Sequence, residues 1–216
     1  MSKPILYGID PSPPTRACLL TAKAIGLDFE YKVVNLMAGE HMTEEFLKKN
    51  PQHTVPLLED NGEYIADSHA ICTYLIQKYG KEKDQLLYPA DLYQRALVDQ
   101  KLHFDTGVLF TKLRAVMKYI LPTPKKVPEE LVTAVYEGFD FLETFLANSN
   151  YLVGNTMTVA DICCIATVSS LVFAPINPVK YPKLTDWIKR MKQLPYYETN
   201  ENGASILLSL VKPHCS

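Results

Sequence analysis

The chain contains no apolar run approaching the roughly 18 uninterrupted residues that a membrane-crossing helix requires. A helical membrane span is therefore not expected. Nor does it carry an excess of charge: 24 acidic side chains face 22 basic ones, a formal charge of -2 with both signs interleaved. With no basic patch to neutralise a phosphate backbone or an anionic lipid surface, neither nucleic acid nor membrane is expected as a partner. Cysteines are few and odd in number. Cys18, Cys72, Cys163, Cys164 and Cys215 include one adjacent pair but no Cys-x-x-Cys spacing, and read as reduced, mostly buried thiols. No two histidines stand three or four residues apart with a third ligand nearby, which argues against a metal site. The start, Met1-Ser2-Lys3-Pro4, leads into only a short apolar stretch, so a secretory leader is not indicated and the cytosol is the expected compartment. What is abundant is core material. Hydrophobic residues make up 47% of 216 positions, enough for one or two small packed domains and too much for disorder, a collagen-like repeat or a coiled coil.

The first eighty residues alternate strand and helix signals. A short strand over Pro4-Gly8 precedes a helix over Thr15-Ile25 closed by Gly26, then a strand over Phe29-Val34 and a helix over Thr43-Asn50 whose cap is Thr43. Strands at Val55-Glu59 and Tyr64-Ala66 flank the turn Asp60-Asn61-Gly62 as an antiparallel hairpin, and a helix over Ser68-Tyr79 ends at Gly80. The order βαβ followed by ββα implies a small mixed sheet with helices on both faces. After the polar stretch Lys81-Gln85 and Pro89, no period-2 pattern recurs, so residues 82-89 are assigned as a linker. Helices are expected at about 91-119, 129-147, 158-173 and 182-193, with a further short one near 204-211.

Three short segments carry chemistry. In Pro11-Ser12-Pro13-Pro14-Thr15 a strand gives way to a helix, with prolines suited to its first positions. Ser12 stands at a helix N-terminus, where free N–H groups and the dipole favour negative charge, and it can equally serve as a plain cap. A thioredoxin-like sheet would place a Cys-x-x-Cys motif at this turn; Ser12-Pro13-Pro14-Thr15 excludes disulfide exchange there. In His53-Thr54-Val55-Pro56-Leu57 a proline opens a strand. A cis bond at that point would turn the chain and leave the N–H and C=O of Val55 free to pair with an extended peptide ligand, unless Pro56 merely marks an edge strand. In Asp67-Ser68-His69-Ala70-Ile71 a helix begins beside an acid. Such a start can hold an α-amino acid, with its carboxylate on the N–H groups and its ammonium on Asp67, while Asp67 or Ser68 also caps the helix.

Taken together, the βαβ-ββα start, Ser12, Val55-Pro56 and Asp67-Ser68 resemble a cytosolic glutathione transferase, and the match covers essentially the whole chain. Tyr151-Leu152-Val153-Gly154-Asn155-Thr156-Met157-Thr158-Val159-Ala160-Asp161 resembles that family's capping box and hydrophobic staple, with Thr158 as cap, Asp161 reaching back and Met157 against Ile162. Asn50-Pro51-Gln52-His53-Thr54-Val55-Pro56 and Asp67-Ser68-His69-Ala70-Ile71 are similar to the insect delta and epsilon classes, and His69 in place of an arginine favours epsilon.

The resemblance implies an α/β thioredoxin-like domain over 1-81 and an all-α helical domain over 90-216. It implies conjugation of the glutathione thiolate to hydrophobic electrophiles in detoxification, with Ser12 donating a hydrogen bond to the sulfur. His41, His53, Thr54, Val55, Pro56, Asp67, Ser68 and His69 would contact glutathione, with both His41 and His53 near its glycine carboxylate. Glutathione would be a co-substrate, and no permanently bound cofactor is expected. A glutathione-dependent isomerase or peroxidase could use the same thiolate. A non-catalytic binding protein on the same scaffold is also conceivable, but intact Ser12, Val55-Pro56 and Asp67-Ser68 argue against it.

At about 100° per residue, the long helix after the linker presents three stripes. Val98, Leu102, Leu109, Leu113, Val116 and Ile120 form a core face. His103, Gly107, Phe110, Arg114 and Met117 form a second, and of these Phe110, Arg114 and Met117 are assigned to an electrophile pocket. Tyr93, Leu97, Phe104 and Thr111 form a third. Left bare, its large apolar side chains need a cover. A twofold copy meeting at Phe104 supplies one and agrees with the homodimer that the resemblance implies; the tail after Pro195 could supply the other.

Overall fold

A computed structural model describes residues 3–120 and 126–212; Met1, Ser2 and Cys215 lie outside the described residues. Strand β1 (Ile5–Gly8) carries β2 (Glu30–Val33) parallel on one side and β3 (Leu57–Asp60) antiparallel on the other, and β4 (Glu63–Ala66) completes the order β2-β1-β3-β4. The parallel pair needs a crossover, which α1 (Pro13–Ala24) supplies. The β3–β4 turn is tight because Asn61 and Gly62 both adopt positive φ, 53° and 85°. Alternation along the strands separates two faces. Leu6 and Leu58 enter the main core with α1 and α3 (Ser68–Tyr79), whereas Tyr7 and Leu57 pack with Val34 and Phe46 of α2 (Glu44–Lys49) on the other face. β3 starts two positions later than the Val55 of the sequence pattern. Val55–Pro56 is cis, and a proline nitrogen has no hydrogen to give to a ladder.

Residues 82–89 are more than a polar tether: a 3₁₀ turn spans Glu82–Leu87, Asp84 accepts the Lys81 N–H at 2.9 Å, and Leu87 is buried. The second half comprises α4 (Leu92–Phe104), α5 (Phe110–Ile120), α6 (Glu129–Phe145), α7 (Val159–Val168), α8 (Pro182–Lys192) and α9 (Glu198–Val211). The core stripe of the long helix is buried at every expected position. The helix is not uniform, however: Asp105–Leu109 form a π turn that joins α4 to α5. Phe104, expected to stand bare, is half-buried because its ring meets Phe145 and Phe141 of α6 edge-on at 5.0 and 6.1 Å.

Every residue of α7 is buried, so its polar groups have to be satisfied from within. Asp161 reaches back to the Thr158 N–H at 2.9 Å, as a capping box does, and also accepts from Leu152 N and Trp187 Nε1, each at 2.9 Å, and from Thr158 Oγ1 at 3.1 Å. Burial raises its pKa, while those donors lower it. Met157 packs, half-buried, against the core that includes Ile162. α7 stops at Val168, short of the expected 173. The Ala166 carbonyl is taken by Ser169 Oγ, Ser170 Oγ and the Arg16 guanidinium, and the chain tightens into turns beyond it.

Arg16, in the first turns of α1, is fully buried without a carboxylate among its partners in the described residues. Its Nη1 donates to Asn200 Oδ1 at 2.6 Å, Asn200 O at 3.1 Å and Ser169 Oγ at 3.1 Å; its Nη2 donates to Ala166 O at 3.3 Å and to Ser170 Oγ. Burial pulls its pKa down to about 10. α9 begins at Glu198, earlier than the expected 204, and runs through Gly203, where a Cβ would collide with the Asp10 carbonyl oxygen and with Arg16 Cδ. The cysteines among the described residues, Cys18, Cys72, Cys163 and Cys164, are free and buried, with the Cys18 and Cys72 sulfurs 3.8 Å apart. Burial pushes the Cys18, Cys163 and Cys164 thiols up, which keeps them neutral.

Asp161→Ala is expected to cost roughly 3 kcal/mol or more, since several buried donors lose their acceptor at once. Urea unfolding of the variant checks this, and a wild-type midpoint would contradict the role given to Asp161.

Candidate active site

The strand register sets Tyr7, Leu57 and Ala66 side by side and Gly8 beside Val33. The turn leaving β1, the loop leaving β2, the entry to β3 and the exit from β4 therefore open on one edge of the sheet. Those segments carry Ser12, His41, Thr54–Pro56 and Asp67–Ser68, brought together from four separate parts of the sequence.

Ser12 is the N-cap of α1, with extended backbone at φ -73°, ψ 116° and two prolines following it. Its Oγ accepts the Thr15 N–H at a long 3.4 Å. The hydroxyl hydrogen has no acceptor among the described residues, so it remains available to a ligand. Neither an acid nor a histidine bonds to Ser12 among the described residues, which removes the activated-nucleophile arrangement.

The 50–56 turn is organised by Asn50, a buried residue to which the sequence reading gave no role. Its Nδ2 donates to Thr54 O at 2.9 Å and Thr54 Oγ1 at 3.2 Å, and its Oδ1 accepts the Gln52 N–H at 3.1 Å. The signal was a polar residue just past a helix end. His53, at φ 46°, is exposed, and its ring lies 6.2 Å from that of His41. The His41 Nδ1 is buried without a partner among the described residues. Val55 N–H and C=O are likewise engaged by no other described residue.

Asp67 caps α3 from an unusual backbone position, φ 76° and ψ 120°, which L residues rarely adopt. Its Oδ1 accepts the N–H groups of His69 at 2.9 Å and Ala70 at 3.1 Å, which holds it there. The side chain is exposed, and its Oδ2 takes no part in the cap. The Ser68 N–H has no described partner, and Cys18 Sγ donates to the Ser68 carbonyl at 3.7 Å. The His69 ring points elsewhere: Nε2 lies 2.9 Å from Asp105 Oδ2 and Nδ1 lies 2.8 Å from Thr106 Oγ1, both in the π turn of the long helix. Both ring nitrogens are thus taken by the protein. Burial lowers the His69 pKa, but the hydrogen bond and charge of Asp105 outweigh it, and the net shift is upward.

On α5, Phe110 and Met117 are half-buried and Arg114 is exposed, one turn apart along a side away from the buried Leu113 and Val116. Asp105 and the π turn escaped sequence reasoning because a fixed 100° per residue contains no wider turn. Among the described residues no group of three histidine, cysteine or acidic side chains is placed to hold a metal ion, and no helix is long and apolar enough to cross a membrane.

The profile described as the glutathione S-transferase N-terminal domain matches residues 6–83, and that described as the glutathione S-transferase C-terminal domain matches residues 90–195. Glutathione S-transferase 1 of Manduca sexta is 44% identical over 211 residues, covering 95% of this chain and 96% of the relative. An epsilon-class glutathione S-transferase from the housefly, Musca domestica, is 51% identical with a TM-score of 0.94 over 97% of each chain. A glutathione transferase homologue from Drosophila mojavensis, solved with bound glutathione, is 52% identical with a TM-score of 0.95, covering 99% of this chain and 98% of that one.

Because His69 is raised above its ordinary value near 6.5, its pairing with Asp105 contributes stability that is complete below about pH 6.5 and lost as pH rises through the folded value. The difference in unfolding free energy between wild type and His69→Gln should therefore be largest below about pH 6.5 and shrink as the pH rises above it. A difference that does not change with pH would contradict the pairing.

Proposed function

The chain belongs to the glutathione S-transferase family, and from that premise we propose that the shared sheet edge holds glutathione with its sulfur on Ser12. The enzyme conjugates the glutathione thiolate to hydrophobic electrophiles, the chemistry of detoxification. A cysteine thiol with a pKa near 8.5 is only about 3% ionised at pH 7, and lowering that value by two units takes about 2.7 kcal/mol of preferential stabilisation of the anion. Ser12 can supply part of it. Its oxygen already accepts from Thr15, which leaves the hydroxyl hydrogen to donate to sulfur, and the α1 N-terminus behind it favours the same charge. The thiolate then attacks the electrophilic carbon, forming the C–S bond as the leaving group departs with the bonding pair, or as a proton is taken up after addition to an enal. That free hydroxyl hydrogen on the shared edge carries the reading.

The remaining contacts follow from which groups are unoccupied. Asp67 Oδ2 suits the γ-glutamyl ammonium, and the Ser68 N–H and hydroxyl suit its carboxylate. Val55 can pair through its backbone with the cysteinyl residue, as an added strand would, with Thr54 and Pro56 shaping that turn. His41 and His53 face the glycine carboxylate. His69 is left without a ring nitrogen for the ligand and serves through its backbone N–H, which steadies Asp67. Phe110, Arg114 and Met117 line the electrophile's side. The work divides at residues 82–89, glutathione before and electrophile after. A cytosolic homodimer completes the proposal. Support comes from Leu92 and Tyr93, 80% and 70% exposed at the start of α4, and from Phe141, which stays 42% exposed beside Phe104.

Ser12→Ala should slow conjugation by roughly 10- to 100-fold and move the pH-rate profile upward, since a hydrogen bond to a charged group contributes about 1.5–3 kcal/mol. Steady-state rates across pH check this; an unchanged profile would remove Ser12 from the mechanism. Sedimentation should find about twice the 24.4 kDa chain mass and a shift toward monomer for Tyr93→Glu, an exposed position where folding is spared. A single-chain mass for the wild type would refute the dimer.

A further inference from the structure

Both halves of the site meet the same pair of residues. His69 donates its backbone N–H to Asp67 Oδ1 at 2.9 Å, its Nε2 bonds Asp105 Oδ2 at 2.9 Å, and the Asp105 carbonyl accepts the N–H of Phe110 across the π turn. Three hydrogen bonds, relayed through the main chain and side chain of His69 and of Asp105, therefore join the acid assigned to the glutathione ammonium to the first aromatic residue of the electrophile wall. Thr106, on the same π turn, holds the other ring nitrogen at 2.8 Å, so the imidazole is fixed in plane and in tilt. Asp105 is 4% exposed, and its Oδ1 has no hydrogen-bond partner among the described residues. A buried carboxylate left half-satisfied costs stability. A link whose sole purpose was to glue two helices together would be served better by apolar packing. A π turn, moreover, is a departure from the α turn that recurs at functional sites.

We infer that His69 and Asp105 are positioning residues that couple occupancy of the glutathione side to the shape of the electrophile wall, so that Phe110 takes up its working position when Asp67 holds the ligand. The inference rests on the glutathione contacts proposed above. When the ammonium draws on Asp67, the cap of α3 and with it the His69 backbone are held in place; the imidazole carries that constraint to Asp105, and the π turn passes it to Phe110. Neither side chain touches a reacting atom. The expected consequence is selectivity: the electrophile's half of a ligand binds well only when the glutathione half is present and the link is intact.

Isothermal titration with glutathione and with S-hexylglutathione tests this. The ratio of their dissociation constants reports what the apolar half adds once the glutathione half is bound. In His69→Ala and in Asp105→Ala that ratio should fall about tenfold, a typical coupling between sites. Affinity for glutathione alone should change little, and the double variant should fall no further than either single one. His69→Gln, whose amide can still donate to Asp105, should recover most of the ratio; if Asp105→Ala does not fold, the His69→Ala and His69→Gln pair carries the comparison. A ratio equal to wild type in His69→Ala, or parallel losses for both ligands, overturns the coupling. Asp67→Ala separates the two levels: it should weaken glutathione itself, which the His69 and Asp105 variants leave little changed, and S-hexylglutathione more strongly still. Unchanged glutathione affinity in Asp67→Ala would overturn the contact assignment and the coupling together, whereas weakened binding there with an unchanged ratio in His69→Ala overturns the coupling alone.

Discussion

A guanidinium taken wholly out of water, with no carboxylate to meet it, is tolerated only where a ring of oxygen acceptors replaces the lost hydration. Arg16 imposes that condition on this fold. Its acceptors come from the end of α7, from Ser169 and Ser170 just beyond it, and from Asn200 in α9, while the arginine itself sits on α1. The helix-terminal carbonyls carry the partial negative charge that the cation needs. The first half of the chain therefore cannot bury its central helix without docking on the second. Gly203 tightens the same joint, because only a residue without Cβ lets α9 lie against both Arg16 and the Asp10 carbonyl. Asp10 is two residues from Ser12, so the turn that carries the Ser12 hydroxyl is backed by a helix from the far end of the chain.

From that joint the chemistry follows by subtraction. The sheet register gathers four loops on one edge, and within each loop part of the hydrogen-bonding capacity is spent on holding the loop: Ser12 Oγ on Thr15, Asn50 on Thr54, Asp67 Oδ1 on the α3 N-terminus. What is left over is the Ser12 hydrogen, the backbone of Val55, Asp67 Oδ2 and the Ser68 N–H. Those leftovers are a donor for an anion, a strand edge, an acceptor for a cation and a donor for a carboxylate, the four kinds of group that the proposed glutathione contacts call for. Preorganisation of this kind is how a modest number of hydrogen bonds can favour a thiolate over a thiol.

Much of this is legible in the sequence alone. The helix over Ser68–Tyr79 matches its expected bounds, and the hairpin turn at Asn61-Gly62 and the Thr158–Asp161 capping box stand where local residue chemistry put them, because each depends on neighbours within a few positions. What could not be read depends on distant partners. α9 looked like a short helix after a loop because Asn200 to Gly203 is a poor helix former in isolation; Arg16 and Asp10 reward that very sequence. His69 resembled a ligand contact, yet its ring is claimed by Asp105 and Thr106, more than thirty positions away. Phe104 fell on an apparently bare stripe, and α6 covers part of it.

The chemistry proposed for Ser12 depends on the ionisation state of the bound sulfur. The most direct measurement is a titration of the ultraviolet thiolate absorbance of glutathione in complex with the wild-type enzyme, against the same titration of free glutathione. The bound thiol is predicted to ionise about two units below the free one, near pH 6.5, so that most of it is thiolate at neutral pH. A bound thiol that titrates at the free value would contradict the account.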